Sequence, residues 1–289
     1  MPTKKSDLNG IASIKSLRVI VTTRCNAKLL KPQADSPGVC EFCYRQKEQV
    51  SGDRETIDQL LKNISKNPNI RSLIFTGGEP LVSRHPRYLL KSAFSIGFHN
   101  TIHTNGLTLE KNKETLKYLI CVSLPLDGSN AEIADYYRGV GYFNTLQNCL
   151  DLLHANAKNI GLHTLLTPYN IADLENMAVF AQKHAPMYWF IKQFRAANLA
   201  AGSNSKHYGL ETSQFQKSVQ DLIHKYPSLN IFASASSGMP SQTLFVYLDG
   251  RVFAHMPGHQ DNVLVGNLLS DSWEELAISF ANYQTDPAH

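Results

Sequence analysis

The stretch that decides the fold runs LRVIVT (17–22), Thr23-Arg24-Cys25, NAKLLKPQADSPGV (26–39) and Cys40-Glu41-Phe42-Cys43. A β-branched apolar run ends almost directly in a cysteine, and two further cysteines close the following loop in a C-x14-C-x2-C arrangement. Outward from it, similar runs recur at SLIFTG (72–77), NTIHTNG (100–106), ICVSLPLDG (120–128), NIGLHTLL (159–166) and YWFIKQF (188–194). In the last two the apolar residues are too continuous for a one-sided sheet and suit strands covered on both faces. Between them, Ile57, Leu60, Leu61 and Ile64, and later Leu146, Leu150 and Leu153, follow helical spacing. Repeated strand-helix-strand order implies right-handed parallel connections. The chemistry-bearing residues fall at strand C-termini, where barrels collect their function. The expectation is an α/β chain: a partial (β/α)6 TIM-type barrel over residues 1–200 with a small C-terminal α+β extension over 201–289. That extension should hold a helix near 211–225, antiparallel strands in TLFVYLDG and RVFAHM turned at Asp249-Gly250, and a final helix in DSWEELAISFANY capped by Asp271 or Ser272.

The 289 residues are 43% hydrophobic and 18% charged, with no apolar run of membrane-spanning length and no leader evident in MPTKKSDLNG. A cytoplasmic protein is expected. A net charge of +4 without a basic tract makes nucleic acid an unlikely partner. Five cysteines without an export signal point to metal ligation or burial rather than disulfides.

Cys25, Cys40 and Cys43 suit a 4Fe-4S cluster that lacks its fourth cysteine, because one iron is then free to chelate a small molecule. Structural zinc is the other reading, but no second C-x-x-C or close histidine pair supplies its fourth ligand. Cys121 and Cys149 read as buried core thiols. After the second strand, Gly77-Gly78-Glu79-Pro80 offers close backbone approach to a ligand and a carboxylate able to bind an ammonium group.

With the triplet and the Gly-Gly-Glu-Pro turn together, the chain resembles the radical S-adenosylmethionine (SAM) superfamily over roughly residues 15–195. The resemblance implies that Cys25, Cys40 and Cys43 hold one 4Fe-4S cluster and that Phe42 lies against the SAM adenine. It implies that Glu79, with Gly77 and Gly78, forms the site for the SAM amino group. Thr104-Asn105-Gly106 resembles a common strand end of the family, and Ser123 with Arg138 resembles the pair that binds the SAM carboxylate in several subfamilies. The family's usual gap between the first two cysteines is three residues; the fourteen here are similar to an enlargement in members resembling 7-carboxy-7-deazaguanine synthases. SLPLDG and YYRG look more like the molybdenum-cofactor cyclases, peptide maturases and viperin-type enzymes.

The resemblance further implies reductive cleavage of SAM to a 5'-deoxyadenosyl radical that takes a hydrogen from a small-molecule substrate, nucleotides included, or from a peptide. The electron would come from an external donor such as flavodoxin or ferredoxin. The competing class is a non-catalytic iron-sulfur or zinc module. No cysteine follows Cys149, which weighs against the additional clusters of many peptide maturases and of the GTP cyclase in molybdopterin synthesis. His163, Lys192, Gln193, Arg195, Tyr247, His255 and His259 could reach a substrate at the barrel mouth, and none has an assignable catalytic role.

Overall fold

The computed structural model describes residues 14–43, 50–195, 205–235, 243–254 and 262–285. Strands β1 (Ser16–Thr22), β2 (Ser72–Gly77), β3 (His99–His103), β4 (Cys121–Pro125), β5 (Asn159–Leu166) and β6 (Tyr188–Gln193) lie in chain order, each parallel to the next. The connections carry helices α1 (Arg54–Ser65), α2 (Pro86–Ile96), α3 (Ala131–Arg138), α4 (Tyr142–Ala155) and α5 (Leu174–His184), with a 3-10 run, Glu110–Tyr118, between β3 and β4.

Local chemistry sets the boundaries. Asp53 starts α1 by accepting a hydrogen bond from the Thr56 N–H. Pro86 opens α2 and Gly97, at φ 104°, ends it in the left-handed region. The helical repeats bury Ile57, Leu60, Leu61 and Ile64 from α1, and Leu146, Leu150 and Leu153 from α4, against one face of the sheet. That face of the sheet is apolar, with Leu17, Val19, Val21, Leu73, Phe75, Ile102, Val122, Leu124, Leu162 and Ile191 all buried. Alternation sends Arg18, Thr76, His103, Ser123, His163 and Lys192 to the opposite, concave face, which forms the lumen of the partial barrel.

The C-terminal region extends the same sheet at both edges. After α6 (Ser205–Tyr208) and α7 (Thr212–Lys225), β7 (Ile231–Ser234) adds to β6 in parallel. The chain then crosses to the other edge, where β8 (Leu244–Tyr247) pairs in parallel with β1. The expected hairpin is present: β9 (Arg251–Ala254) returns antiparallel through Gly250, at φ 90°. Strand β10 (Val263–Asn267) pairs with β9, and α8 (Trp273–Thr285) follows. The result is an open sheet of ten strands ordered β10-β9-β8-β1-β2-β3-β4-β5-β6-β7. The partial barrel is as expected, but the sheet is wider than six strands, because β7 adds to β6 at one edge and β8, followed by β9 and β10, adds to β1 at the other.

Of the two residues proposed to cap the final helix, Ser272 does so. Its hydroxyl accepts from the Glu275 N–H at 3.2 Å while Glu275 reaches back to the Ser272 N–H at 2.8 Å. Asp271 instead accepts from the Asn267 N–H. His255 and His259 lie outside the described residues. Among the described residues no helix is long and apolar enough to cross a membrane.

Phe280 on α8 is 1% exposed and belongs to the same apolar cluster as β1 and β2. Phe280→Ala should therefore cost about 3–5 kcal/mol and lower the urea midpoint of one transition that includes the barrel. An unfolding step confined to the C-terminal region would contradict the shared core.

Candidate active site

The cysteine loop leaves β1 and settles on the end of α3, so YYRG (136–139) is its counterpart. The Cys40 N–H donates to the Tyr137 carbonyl at 2.7 Å and the Val140 N–H to the Lys31 carbonyl at 2.8 Å. Tyr136 donates its hydroxyl proton to the Asp35 carbonyl at 3.1 Å. Gly139, at φ 98°, has to be glycine, because a Cβ there would lie 2.6 Å from the Leu30 side chain. These contacts fix the fourteen-residue insertion across the helix end. Cys25, Cys40 and Cys43 then share one small group of packed side chains with Ala27, Leu30, Val39 and Phe42.

Gly77 and Gly78 let the backbone of this loop approach β2. A Cβ on Gly78 would lie 2.0 Å from the Arg24 carbonyl oxygen, and one on Gly77 2.4 Å from that of Thr22. The Gly78 and Glu79 N–H groups donate to those same two carbonyls, of Thr22 and Arg24, at 2.6 and 2.7 Å. Glu79 is fully buried and braces two strand ends. One carboxylate oxygen accepts from Leu81 N–H (3.1 Å) and the Thr104 hydroxyl (2.8 Å), and the other from Asn105 N–H (2.7 Å). Burial pushes its carboxyl up to about 7, while the three donors favour the ionised form. Asn105 then reaches the loop itself, donating to Asn26 Oδ1 at 2.9 Å and to Cys25 Sγ at 3.6 Å.

Ser123 and Arg138 each have partners within the chain. Ser123, buried on β4, meets His163 Nδ1 at 3.1 Å inside the lumen. Arg138 forms a 2.6 Å ion pair with Asp127, lies 4.9 Å over the Phe42 ring and aims Nη1 at Cys40 Sγ, 3.9 Å away. Asp127, 1% exposed, is a site residue that the sequence reading does not single out; its other oxygen accepts from the Leu165 N–H. Phe42 is held edge-on against Tyr137 and Tyr208. Gln193 is a structural residue, donating to the Leu210 carbonyl.

Deeper in the lumen, the His103 and His163 rings stack at 5.5 Å, and burial holds both well below the usual imidazole range. Burial, reinforced by Arg18 and Arg138, pushes Lys192 down to about 8. Neither Arg18 nor Lys192 has an ion-pair partner among the described residues.

The donor set fits a 4Fe-4S cluster. Three thiols lie in one partly buried, mainly apolar pocket, with N–H donors from Asn105 and Arg138 at two of the sulfurs, and such hydrogen bonds suit cluster thiolates. Among the described residues the Tyr208 hydroxyl, buried beside Phe42, has no hydrogen-bond partner. Burial pushes the Cys40 thiol up to about 11, so metal binding has to displace its proton. Among the described residues no group of three histidine, cysteine or acidic side chains, Cys25, Cys40 and Cys43 included, is already closed around a single metal ion.

Comparison with known proteins gives the family. The Radical SAM superfamily pattern matches residues 19–181. The S-adenosylmethionine-dependent nucleotide dehydratase of Lacinutrix mariniflava is 24% identical over 64% of this chain and 39% of its own. The probable GTP 3',8-cyclase of Sulfurisphaera tokodaii is 26% identical over 58% of this chain and 52% of its own. The chain thus spans about half or less of the length of these curated relatives. Among solved structures, Streptococcus suis SuiB bound to the precursor peptide SuiA superposes at a TM-score of 0.69 and 14% identity, covering 98% of this chain and 68% of SuiB. Native anSMEcpe with bound AdoMet and Cp18Cys peptide gives 0.67 at 17% identity, covering 90% and 79%. The family's cofactors are a 4Fe-4S cluster and SAM, and on the match across more than half its length the chain belongs to the radical SAM superfamily of enzymes.

Proposed function

We propose that this enzyme acts on a phosphate-bearing small molecule of the nucleotide class. The observation that carries the reading is the lumen: among the described residues Arg18 and Lys192 form no ion pair, the strand positions around them on β1 to β6 carry no Asp or Glu, and Asp127, the carboxylate that acts on Lys192, is itself paired with Arg138. Unpaired, partly buried cations are unfavourable in the empty protein and become favourable against an anion. The names of the Lacinutrix and Sulfurisphaera relatives, a nucleotide dehydratase and a GTP cyclase, point the same way.

When bound, the reduced cluster and SAM supply a 5'-deoxyadenosyl radical that removes one substrate hydrogen. In this reading Cys25, Cys40 and Cys43 hold the cluster, and Phe42 borders the adenine. Gly77, Gly78 and Glu79, with Thr104 and Asn105, shape the amino end of the SAM site. Ser123 faces the substrate through His163, and Arg18 and Lys192 orient the anionic group beneath the cluster. The sheet's concave face limits water around the reacting carbon. An external one-electron donor such as flavodoxin or ferredoxin feeds the cluster, in the cytoplasm. A peptide substrate is the second reading, favoured by the exposed Phe232 and Leu264 on the two open edge strands.

Anaerobically reconstituted chain given dithionite and SAM should release 5'-deoxyadenosine and methionine. Cys25→Ala should lose both the brown cluster absorbance and these products, whereas a loaded cluster without cleavage would refute catalysis. Among nucleoside triphosphates tested as substrates, Lys192→Met should raise KM about 10- to 100-fold, the worth of a charge-assisted contact. Because Lys192 sits near 8, its ammonium is present below that pH and lost above it. Nucleotide KM should therefore rise as pH passes 8, and Lys192→Arg should abolish that rise. A pH-independent KM, unchanged in Lys192→Met, would favour the peptide reading.

A further inference from the structure

Cys40 has a fixed cation beside it. Arg138 Nη1 lies 3.9 Å from Cys40 Sγ. The guanidinium is held from several sides: by Asp127 at 2.6 Å through Nε, by the face of Phe42 at 4.9 Å and by Tyr142 at 5.8 Å. Asp127 is itself fixed, since its second oxygen accepts from the Leu165 N–H at 2.8 Å and its carbonyl from Asn170 Nδ2 at 3.1 Å. With side chains 13% and 1% exposed, the pair is shielded from the water that would otherwise screen it. The Cys40 N–H, bonded to the carbonyl of Tyr137, next to Arg138 in sequence, locks the sulfur and the cation to the same turn of α3.

We propose that the Asp127–Arg138 pair sets the reduction potential of the cluster, Arg138 acting on the Cys40 sulfur and Asp127 serving as a positioning residue that also weakens its charge. The inference rests on the cluster assignment. Reduction places one extra electron on the cluster and its thiolates, without making or breaking a bond. A cation at the thiolate favours that state, and charge and hydrogen bonding at the sulfurs are among the levers that set cluster potentials. Asp127 opposes the effect because its carboxylate neutralises part of the guanidinium field. The two residues therefore act with opposite sign, which a purely structural pair would not do.

The test is a potentiometric titration of the reconstituted full chain with dithionite, without SAM, followed by the electron paramagnetic resonance signal of the reduced cluster. Leaving SAM out separates this role from one in holding the SAM carboxylate, which would not move a SAM-free midpoint. Arg138→Gln should shift the midpoint to more negative potential, Asp127→Asn to more positive potential, and Arg138→Lys should stay near the parent. An unchanged midpoint in Arg138→Gln, or shifts of the same sign in Arg138→Gln and Asp127→Asn, would overturn the proposal. Should Arg138→Gln lose its cluster, Asp127→Asn decides alone: a positive shift supports the proposal and any other result refutes it. A parent chain that assembles no cluster would overturn the cluster assignment itself.

Discussion

The site depends on one docking event, that of the long cysteine loop against the end of α3. A loop of this length left free would present its thiols in many arrangements, and the entropy of fixing them would oppose cluster assembly. Four consecutive residues remove that freedom by different means. Tyr136 binds the Asp35 carbonyl, and the Tyr137 carbonyl holds the Cys40 N–H. Arg138 faces the Cys40 sulfur, and Gly139 leaves room for Leu30. Cys40 itself sits at φ 54°, a left-handed conformation that a non-glycine residue adopts only where its surroundings enforce it.

A second set of bonds carries this order across the strand ends. The Gly78 and Glu79 N–H groups hold the backbone of Thr22 and Arg24, and the Glu79 carboxylate holds Thr104 and Asn105. Asn105 returns to Asn26 and Cys25. The Thr104 N–H continues to the Ser123 carbonyl on β4. Glu79 thus joins the loops after β1, β2 and β3 into one hydrogen-bonded rim. Its burial is tolerable because three donors face it, and the loss of any one would leave part of a carboxylate unsatisfied.

Much of this was legible in the chain because it depends on local pattern. The six central strands fold within about three residues of the apolar runs that mark them, and the Asp249-Gly250 turn announces its hairpin. Strand β7 escapes notice because its inner residues, Phe232 and Ala233, are exposed at an edge, and β10 because Gly266 interrupts a short run with a shift in register. The pairing of β8 with β1 joins residues more than two hundred positions apart and has no local signal. In the site, the cysteines, Glu79 and Arg138 stand out as chemistry in turn contexts. Asp127 does not, because an aspartate before glycine reads as an ordinary turn residue; only the fold shows it buried against Arg138. His103 and His163 each look like a lone histidine, and their stacking exists only across neighbouring strands.

The charges of the lumen and of the rim are handled in opposite ways, and the contrast separates their tasks. At the rim, Arg138 is given Asp127, so a cation can stay beside a thiolate in the empty protein at little cost. In the lumen no carboxylate forms an ion pair with Arg18 or Lys192 among the described residues: burial holds His103 and His163 well below the usual imidazole range and pushes Lys192 down to about 8, against the opposing pull of Asp127. A sequence under selection for stability alone would replace Arg18 or Lys192, or place a carboxylate between them. Local rules broken without compensation within the chain are expected where a ligand supplies the compensation. The two arrangements suit the two proposals made above: a cation with a fixed carboxylate partner for a permanently held cluster, and cations without one for an anion that comes and goes.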